Sequence, residues 1–337
     1  MNHSPKRLLI LTDHSKHSAN NSFYALSSAF SALPTWEKVH VCSRGNKVNQ
    51  NFFCGQEKRL WVTPHEAGYE FGDMQGHWRE HLISSNLDEY DAILLRLPRP
   101  IRYDLFQLLE AHSAPFQIVN NPSGIRHTGN KKFLLNFPDI SPPMKWVMSP
   151  EEAKEFSQRH EIVLKPGEEY GGKGILRLHQ NTLWNGDEKI DIRYLNDLFL
   201  PEGMLAMKFL KNIHRGDKRT IVVNGKIIGS TIRFPSQNSW LCNVAQGGSA
   251  EISEPDEDDQ KIVDTIEPTL REHGIILYGF DTLVDDHGRR LLSEINSLSI
   301  GGIAPLEKAS GKQLSRQIAE NITDYWTTFY EKTNSGS

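Results

Sequence analysis

The stretch Val163–Gly174, VLKPGEEYGGKG, decides the fold. From Gly167 it runs Gly-x-x-x-x-Gly-Lys-Gly, one residue short of the Gly-x-x-x-x-Gly-Lys-Ser/Thr loop that wraps nucleotide phosphates. Such a loop must pass from a strand into a helix, whose N-terminus supplies amide groups and a positive dipole end. Here the following residues, ILRLH, alternate as a strand does, and Gly174 stands where a magnesium-binding Ser/Thr is required. The stretch therefore predicts a β-hairpin with a glycine-rich tip. Gly171, Gly172 and Gly174 allow backbone N–H groups to approach phosphate oxygens, and Lys165 ends the incoming strand within reach of α- and β-phosphates. The competing interpretation is a solvent-facing loop with a surface lysine.

A second pattern lies downstream, in YGFDTLVDDHGRRLLSEINSL. Glu294 and Asn296 are two apart on a predicted strand and share a face. A two-residue turn at His287-Gly288 places Asp281 opposite Glu294, so that one hairpin face carries two carboxylates and an amide oxygen. These are hard ligands, suited to Mg²⁺ bridging nucleotide phosphates and unsuited to zinc. A register slip of one residue would turn Asp281 away.

The rest of the chain frames these patterns. Its 337 residues exceed one small core, and 38% hydrophobic and 24% charged residues describe an ordinary globular protein. A net charge of −4 gives no global attraction to nucleic acid or an acidic membrane. The N-terminal apolar run is too short for a signal peptide, and no stretch approaches a membrane span. Cys42, Cys54 and Cys242 are far apart, which fits reduced thiols in the cytoplasm. The strand RLLILTD, the helical SFYALSSAF, the strand YDAILLRL, then FQLLEAH and FQIVNNP predict an α/β unit with a mostly parallel sheet over residues 1–122. After about residue 140, short strands alternate with tight turns, an α+β pattern. Asn224-Gly225 marks a type I′ hairpin and residues 256–273 a helix.

Together these features resemble the ATP-grasp fold, and within it the prokaryotic glutathione synthetase family. The resemblance is carried by NNSFYAL, DAILLRLPRP, IVNNPSGIRHTGNKKFL, IVLKPGEEYGGKGI, GDKRTIVVNGK, IRFP…NVAQGG, GFD and EIN. It implies an α/β N-terminal domain over 1–122, a lid subdomain over 123–202 and a C-terminal subdomain with the metal site over 203–330. It also implies an ATP-dependent ligase joining γ-glutamylcysteine to glycine through an acyl phosphate. By resemblance, Lys132 and Lys165 contact ATP phosphates, Gly171 and Gly172 close over them, Met207-Lys208-Phe209 cup adenine, and Asp217 helps bind nucleotide or metal. Asp281, Glu294 and Asn296 hold two Mg²⁺ ions, with Mn²⁺ as the alternative, and Arg219 and Arg233 stabilise the transferring phosphoryl group. Arg96, Asn243, Gly247 and Gly248 are assigned to the acceptor substrate. Family members are often homo-oligomers; the expected partners are small molecules.

The chain departs from the family pattern where Met207-Lys208-Phe209 replaces polar adenine-contacting residues, in SLSIGGIAP after the metal asparagine, and in SQNSWLCN, where Leu241 occupies an arginine position. Ideal pairing about Asn224-Gly225 would also put Arg233 on the face opposite Arg219, so a bulge near Gly229 is required. Two other patterns occur in the sequence. His77-x-x-Glu80-His81 matches an inverted zinc-protease motif by spacing alone, and a surface helix is the preferred interpretation. SEPDEDD fits a helix N-terminus with acids favoured by the dipole better than a calcium loop. The sequence also admits a ligase for another dipeptide or amino acid, and a non-catalytic ATP-binding regulator.

Overall fold

The computed structural model describes residues 5–69, 71–72, 78, 80–169, 172–236, 239–240 and 249–335. Three sheets organise it. The first contains β1 (Arg7–Thr12), β2 (Lys38–Ser43), β3 (Arg59–Pro64), β4 (Ile83–Asn86), β5 (Ala92–Leu95) and β6 (Ile118–Val119), in the order β4-β3-β2-β1-β5-β6. Pairing is parallel from β2 through β6, as the buried apolar runs predict, but β3 and β4 join antiparallel, so the sheet is mixed. Leu8, Leu9, Ile10 and Leu11 are all essentially inaccessible to water, which is why β1 reads as an unbroken apolar run. Helix Leu314–Ser335 returns from the far end of the chain to cover this unit. Its Trp326 packs edge-on against Trp36 at 5.5 Å, and Trp36 Nε1 donates to Thr323 Oγ1 at 3.1 Å.

The second sheet contains β7 (Met144–Val147), β8 (Ile162–Pro166), β9 (Leu176–His179), β10 (Thr182–Asn185), β11 (Glu188–Ile190) and β12 (Met204–Lys208), in the order β11-β10-β9-β8-β12-β7. β8 and β9 pair antiparallel, Ile162 with Leu178 and Leu164 with Leu176, so the glycine-rich stretch joins two strands and no helix follows it. β12, grouped with the third segment in the sequence-based division, is hydrogen-bonded here between β8 and β7. This sheet has a core of its own around Val147, Ile162, Leu164, Leu178 and Leu183.

The third sheet contains β13 (Asp217–Val223), β14 (Lys226–Phe234), β15 (Ser249–Ser253), β16 (Leu277–Val284) and β17 (Arg290–Asn296), in the order β15-β14-β13-β16-β17. Asn224 and Gly225 both take positive φ, 50° and 77°, as the turn joining β13 to β14 demands. Helix Glu257–Glu272 starts with a reciprocal cap between Asp256 and Asp259, which accounts for the acidic run. Asn120, at the end of the first sheet, donates to Leu277 O and Ser297 O and accepts from Ile276 N and Leu277 N. One buried amide thus fastens the first sheet to β16 and to the residue just after β17, with all four hydrogen-bonding positions filled.

Candidate active site

Two bulges set the chemistry of the third sheet. In β13–β14 the pairing shifts between Ile221/Gly229 and Val222/Ile227, leaving Ile228 as the extra residue. The bulge expected near Gly229 is therefore present one residue earlier. It places Asp217 opposite Arg233 and Arg219 opposite Thr231, with all four on one face. In β16–β17 the turn is longer than the two residues expected: Asp285 N donates to Arg289 O, with Asp286, His287 and Gly288 at the tip. That turn alone would shift the register by one. Ser293 is an extra residue that shifts it back, so Asp281 pairs with Glu294 and Gly279 with Asn296. Ser293 Oγ donates to Asp281 O at 3.1 Å, closing the bulge.

The face so formed holds a dense charge cluster. Arg219 binds Asp281 bidentately, Nε to Oδ1 and Nη2 to Oδ2, both at 2.7 Å. Arg233 Nη2 reaches Asp281 Oδ2 at 2.9 Å and Asp217 Oδ2 at 2.5 Å. With its amide oriented to satisfy both neighbours, Asn296 accepts from Arg219 Nη2 at 3.2 Å and donates to Glu294 Oε1 at 3.3 Å. Burial alone would raise the Asp281 pKa, but the Arg219 and Arg233 guanidiniums overcome it and hold the carboxyl well below the usual range. Asp217 moves the other way, pushed up to about 7 by burial and then by the Asp281 charge. Asp217 Oδ1 is buried and has no hydrogen-bond partner among the described residues. These groups are acceptor oxygens in need of a cation or donor, matched by guanidiniums with five donors each, which Asp281 does not exhaust.

The glycine hairpin faces this cluster. Lys165 is buried, and its Nζ crosses from β8 to donate to Ser293 O at 3.2 Å, one residue before Glu294. Between the two sheets lies a cleft of about 1020 Å³, lined by Lys165, Gly172, Asp217, Arg219, Arg233, Asp281, Glu294 and Asn296. Gly172 and Gly174 take positive φ, 78° and 66°. Met207, Lys208 and Phe209 line the cleft as well. Lys208 is drawn to Asp286 at 2.8 Å, while Phe209 sits under the Arg177 guanidinium at 4.2 Å and edge-on to Trp240 at 5.7 Å.

Two sequence-based placements change. Lys132 is exposed, its ammonium 5.7 Å from the centre of the Trp146 ring, and it does not line the cleft. Lys131 is the buried neighbour: its Nζ donates to Glu169 O in the glycine hairpin. Burial lowers the Lys131 pKa and Lys165 and Arg99 add to this, against the opposing pull of Glu294. Arg96 is buried, its Nη2 donating to Ile300 O at 2.8 Å, and it too is absent from the cleft lining; in its stretch of chain Arg99 lines the cleft instead. Lys131, Arg99 and Trp240 stand inside GNKKFL, DAILLRLPRP and SQNSWLCN, where nothing in the sequence marks them above their neighbours. Only the 3₁₀ turn at Lys131–Asn136, capped by Asn130, explains why the first lysine and not the second turns inward. Gly171, Leu241, Asn243, Gly247, Gly248 and His77 lie outside the described residues. Trp78, inside the His-x-x-Glu-His match, is buried and stacked on His14 at 4.7 Å. Among the described residues no three His, Cys, Asp or Glu side chains form a metal cluster, so the candidate donor set is two carboxylates with the Asn296 amide.

Comparison with known proteins agrees with this geometry. Residues 130–311 match the family model described as prokaryotic glutathione synthetase, ATP-grasp domain. A glutathione synthetase of Brucella melitensis is 31% identical over 239 residues, covering 69% of this chain and 73% of the relative. One from Vibrio vulnificus is 31% identical over 297 residues, covering 85% and 87%. Among solved structures, D-cycloserine synthetase DcsG superposes with a TM-score of 0.64 at 11% identity, covering 95% of this chain and 100% of the other. The D-alanine-D-alanine ligase from Coxiella burnetii gives 0.59 at 10%, covering 98% and 97%. The chain has the ATP-grasp fold and is an ATP-dependent ligase, a member of the prokaryotic glutathione synthetase family.

Proposed function

We propose that this protein joins γ-glutamylcysteine to glycine with ATP, in the cleft between the glycine hairpin and the Asp281 face. The observation that carries the reading is the contact of Lys165 with Ser293, which brings a buried cation from one sheet beside the carboxylates of another. A triphosphate and a carboxylate cannot approach each other without such neutralisation.

The acid's carboxylate oxygen attacks the γ-phosphorus and the bond to ADP breaks. The amine then attacks the acyl carbon of the acyl phosphate; the C–N bond forms, inorganic phosphate leaves with the C–O bonding pair, and the amine gives up a proton. Lys165 faces the phosphates, and Lys131 holds the glycine hairpin through Glu169 O. Arg219 and Arg233, held rigid by Asp281, meet the charge that develops on the transferring group, so no reorganisation is needed during reaction. Glu294 and Asn296 would hold Mg²⁺, with Asp281 joining through the remaining lone pair of Oδ1; the all-oxygen set fits that ion. A divalent cation held by these oxygens would supply positive charge against the phosphates. Two ions, a cytoplasmic location and a homo-oligomer belong to the same reading.

The test is ADP release from Mg-ATP with γ-glutamylcysteine and glycine, with the product identified by mass. Release that needs both substrates, with a product one water lighter than their sum, supports the reading. No release above ATP alone would exclude this substrate pair, and a panel of acids and amines would then identify the true one.

A further inference from the structure

The loop between β5 and helix Tyr103–His112 is built to hold one cation in the cleft. Arg44 Nη2 donates to Pro98 O at 3.0 Å and Nη1 to Pro100 O at 2.5 Å, the carbonyls of the residues on either side of Arg99. Arg44 is itself fixed by Asp13, Nε to Oδ2 at 2.9 Å. The Asp13 side chain is only 6% exposed, and its other oxygen accepts from Ser15 N and Oγ. Two prolines and a guanidinium clamp thus leave the Leu97–Ile101 backbone little freedom. Leu97, Pro98, Arg99, Pro100 and Ile101 all line the cleft.

Opposite this loop is the segment after β17, of which Leu298, Ser299, Ile300 and Gly301 line the same cleft. Arg96 ties the two together through Ile300 O. Arg99 Nη1 stands 3.9 Å from Glu168 Oε2 at the base of the glycine hairpin, a distance that marks a loose ion pair on an exposed glutamate. The described remainder of this wall is apolar or glycine, save the Ser299 hydroxyl and the Asn21 amide. Phosphate charge is already met by Lys165, Arg219 and Arg233 on the other two sheets. A ligase of this kind has a second anion to place: the carboxylate of a small substrate that takes no part in the reaction.

We propose that Arg99 is a specificity-determining residue that binds this non-reacting carboxylate, and that Arg44 is the positioning residue that aims it. The proposal rests on the ligase reading. It adds that one substrate is selected for carrying a free carboxylate, docked against the loop after β5 in place of Glu168. Arg44 acts only through the Pro98 and Pro100 carbonyls.

The experiment measures kcat and KM for ATP, acid and amine in the parent, Arg99→Gln, Arg99→Lys and Arg44→Lys proteins. Parent turnover with γ-glutamylcysteine and glycine judges the reaction alone; Arg99 is judged on whichever acid and amine pair the parent turns over. Arg99→Gln is expected to raise KM for one of the two small substrates by roughly 10- to 100-fold, the loss of a charge-assisted bidentate contact, with kcat within about threefold. Replacing that substrate's free carboxylate by a carboxamide should cost the parent a similar factor and Arg99→Gln almost nothing more. Arg99→Lys should recover part of the loss, and Arg44→Lys should raise the same KM several-fold. An unchanged KM for both small substrates, a rise confined to ATP, or a carboxamide penalty that persists in Arg99→Gln would overturn the proposal.

Discussion

The two walls of the cleft are built on different principles. On the third sheet, Asp281, Arg219, Arg233 and Asp217 stand on paired strands, and their mutual placement follows from register. On the N-terminal side, Arg99 stands on a loop whose position depends on Arg44, 55 residues earlier by their numbers, and on Arg96 reaching Ile300 across a separation of 204. The first wall places charge with strand periodicity and two bulges; the second places it with long-range hydrogen bonds to backbone carbonyls. Rigid register suits a phosphoryl-transfer centre that must be preorganised. A clamped loop suits substrate selection, because loops change composition without disturbing a sheet.

The largest effect should come from the strand wall. Asp281→Asn leaves Arg219 and Arg233 without their shared carboxylate, so a loss of about 3–5 kcal/mol in stability is expected from urea unfolding. ADP formation should fall about 1000-fold or more, because both guanidiniums lose their orientation. A mild effect on both would mean that register, without Asp281, positions the arginines. Lys218 tests the opposite face of the same strand. Its side chain is 1% exposed, with Asp256 at 2.8 Å and Asp259 in contact, and Asp259 fully buried. Lys218→Met should cost about 3 kcal/mol in stability by stranding Asp259, with KM values almost unchanged. A large KM change would show that the two faces are coupled. Arg219→Lys keeps the charge but loses the fork to Asp281, and kcat should fall roughly 100-fold with a smaller change in KM.

The smallest effect belongs to the loop side. His17 lies near Arg96, with Nε2 at 2.9 Å from Thr12 Oγ1 and Nδ1 at 3.0 Å from the Tyr24 hydroxyl. Burial first, then the His14 and Arg96 charges, bring its pKa down to about 4 from 6.5. The unfolded chain therefore binds a proton that the folded one refuses between these values. The stability is fully present above pH 6.5 and is lost as pH falls toward 4, by about 1–2 kcal/mol after allowance for partial exposure. His17→Asn should flatten that part of the stability–pH curve; an unchanged slope would place the titration elsewhere.

The same contrast explains what the sequence revealed. The hairpin character of VLKPGEEYGGKG was legible because period-two alternation after the glycines excludes a helix. The pairing of Asp281 with Glu294 was legible too, though through two features that cancel: a turn one residue longer than expected and a bulge at Ser293. Nothing in LLSEIN marks Ser293 as an extra residue; the Asp281 O and Lys165 contacts that occupy it are tertiary. Lys131 and Lys132 are equivalent in composition, and only the 3₁₀ geometry after Asn130 separates them. Arg44 was invisible for a simpler reason: the carbonyls it binds belong to a loop that its own neighbourhood in the sequence does not contain.

In the proposed reaction Glu294 and its neighbours would hold a divalent ion, while Lys165 would meet the phosphates from the facing sheet. Calorimetric titration of the parent, Glu294→Ala and Lys165→Met proteins with a non-hydrolysable ATP analogue, with and without Mg²⁺, addresses both halves. The account predicts that Mg²⁺ tightens nucleotide binding in the parent, that Glu294→Ala abolishes this gain, and that Lys165→Met weakens binding whether or not the ion is present. A Glu294→Ala protein that keeps the full Mg²⁺-dependent gain would contradict it.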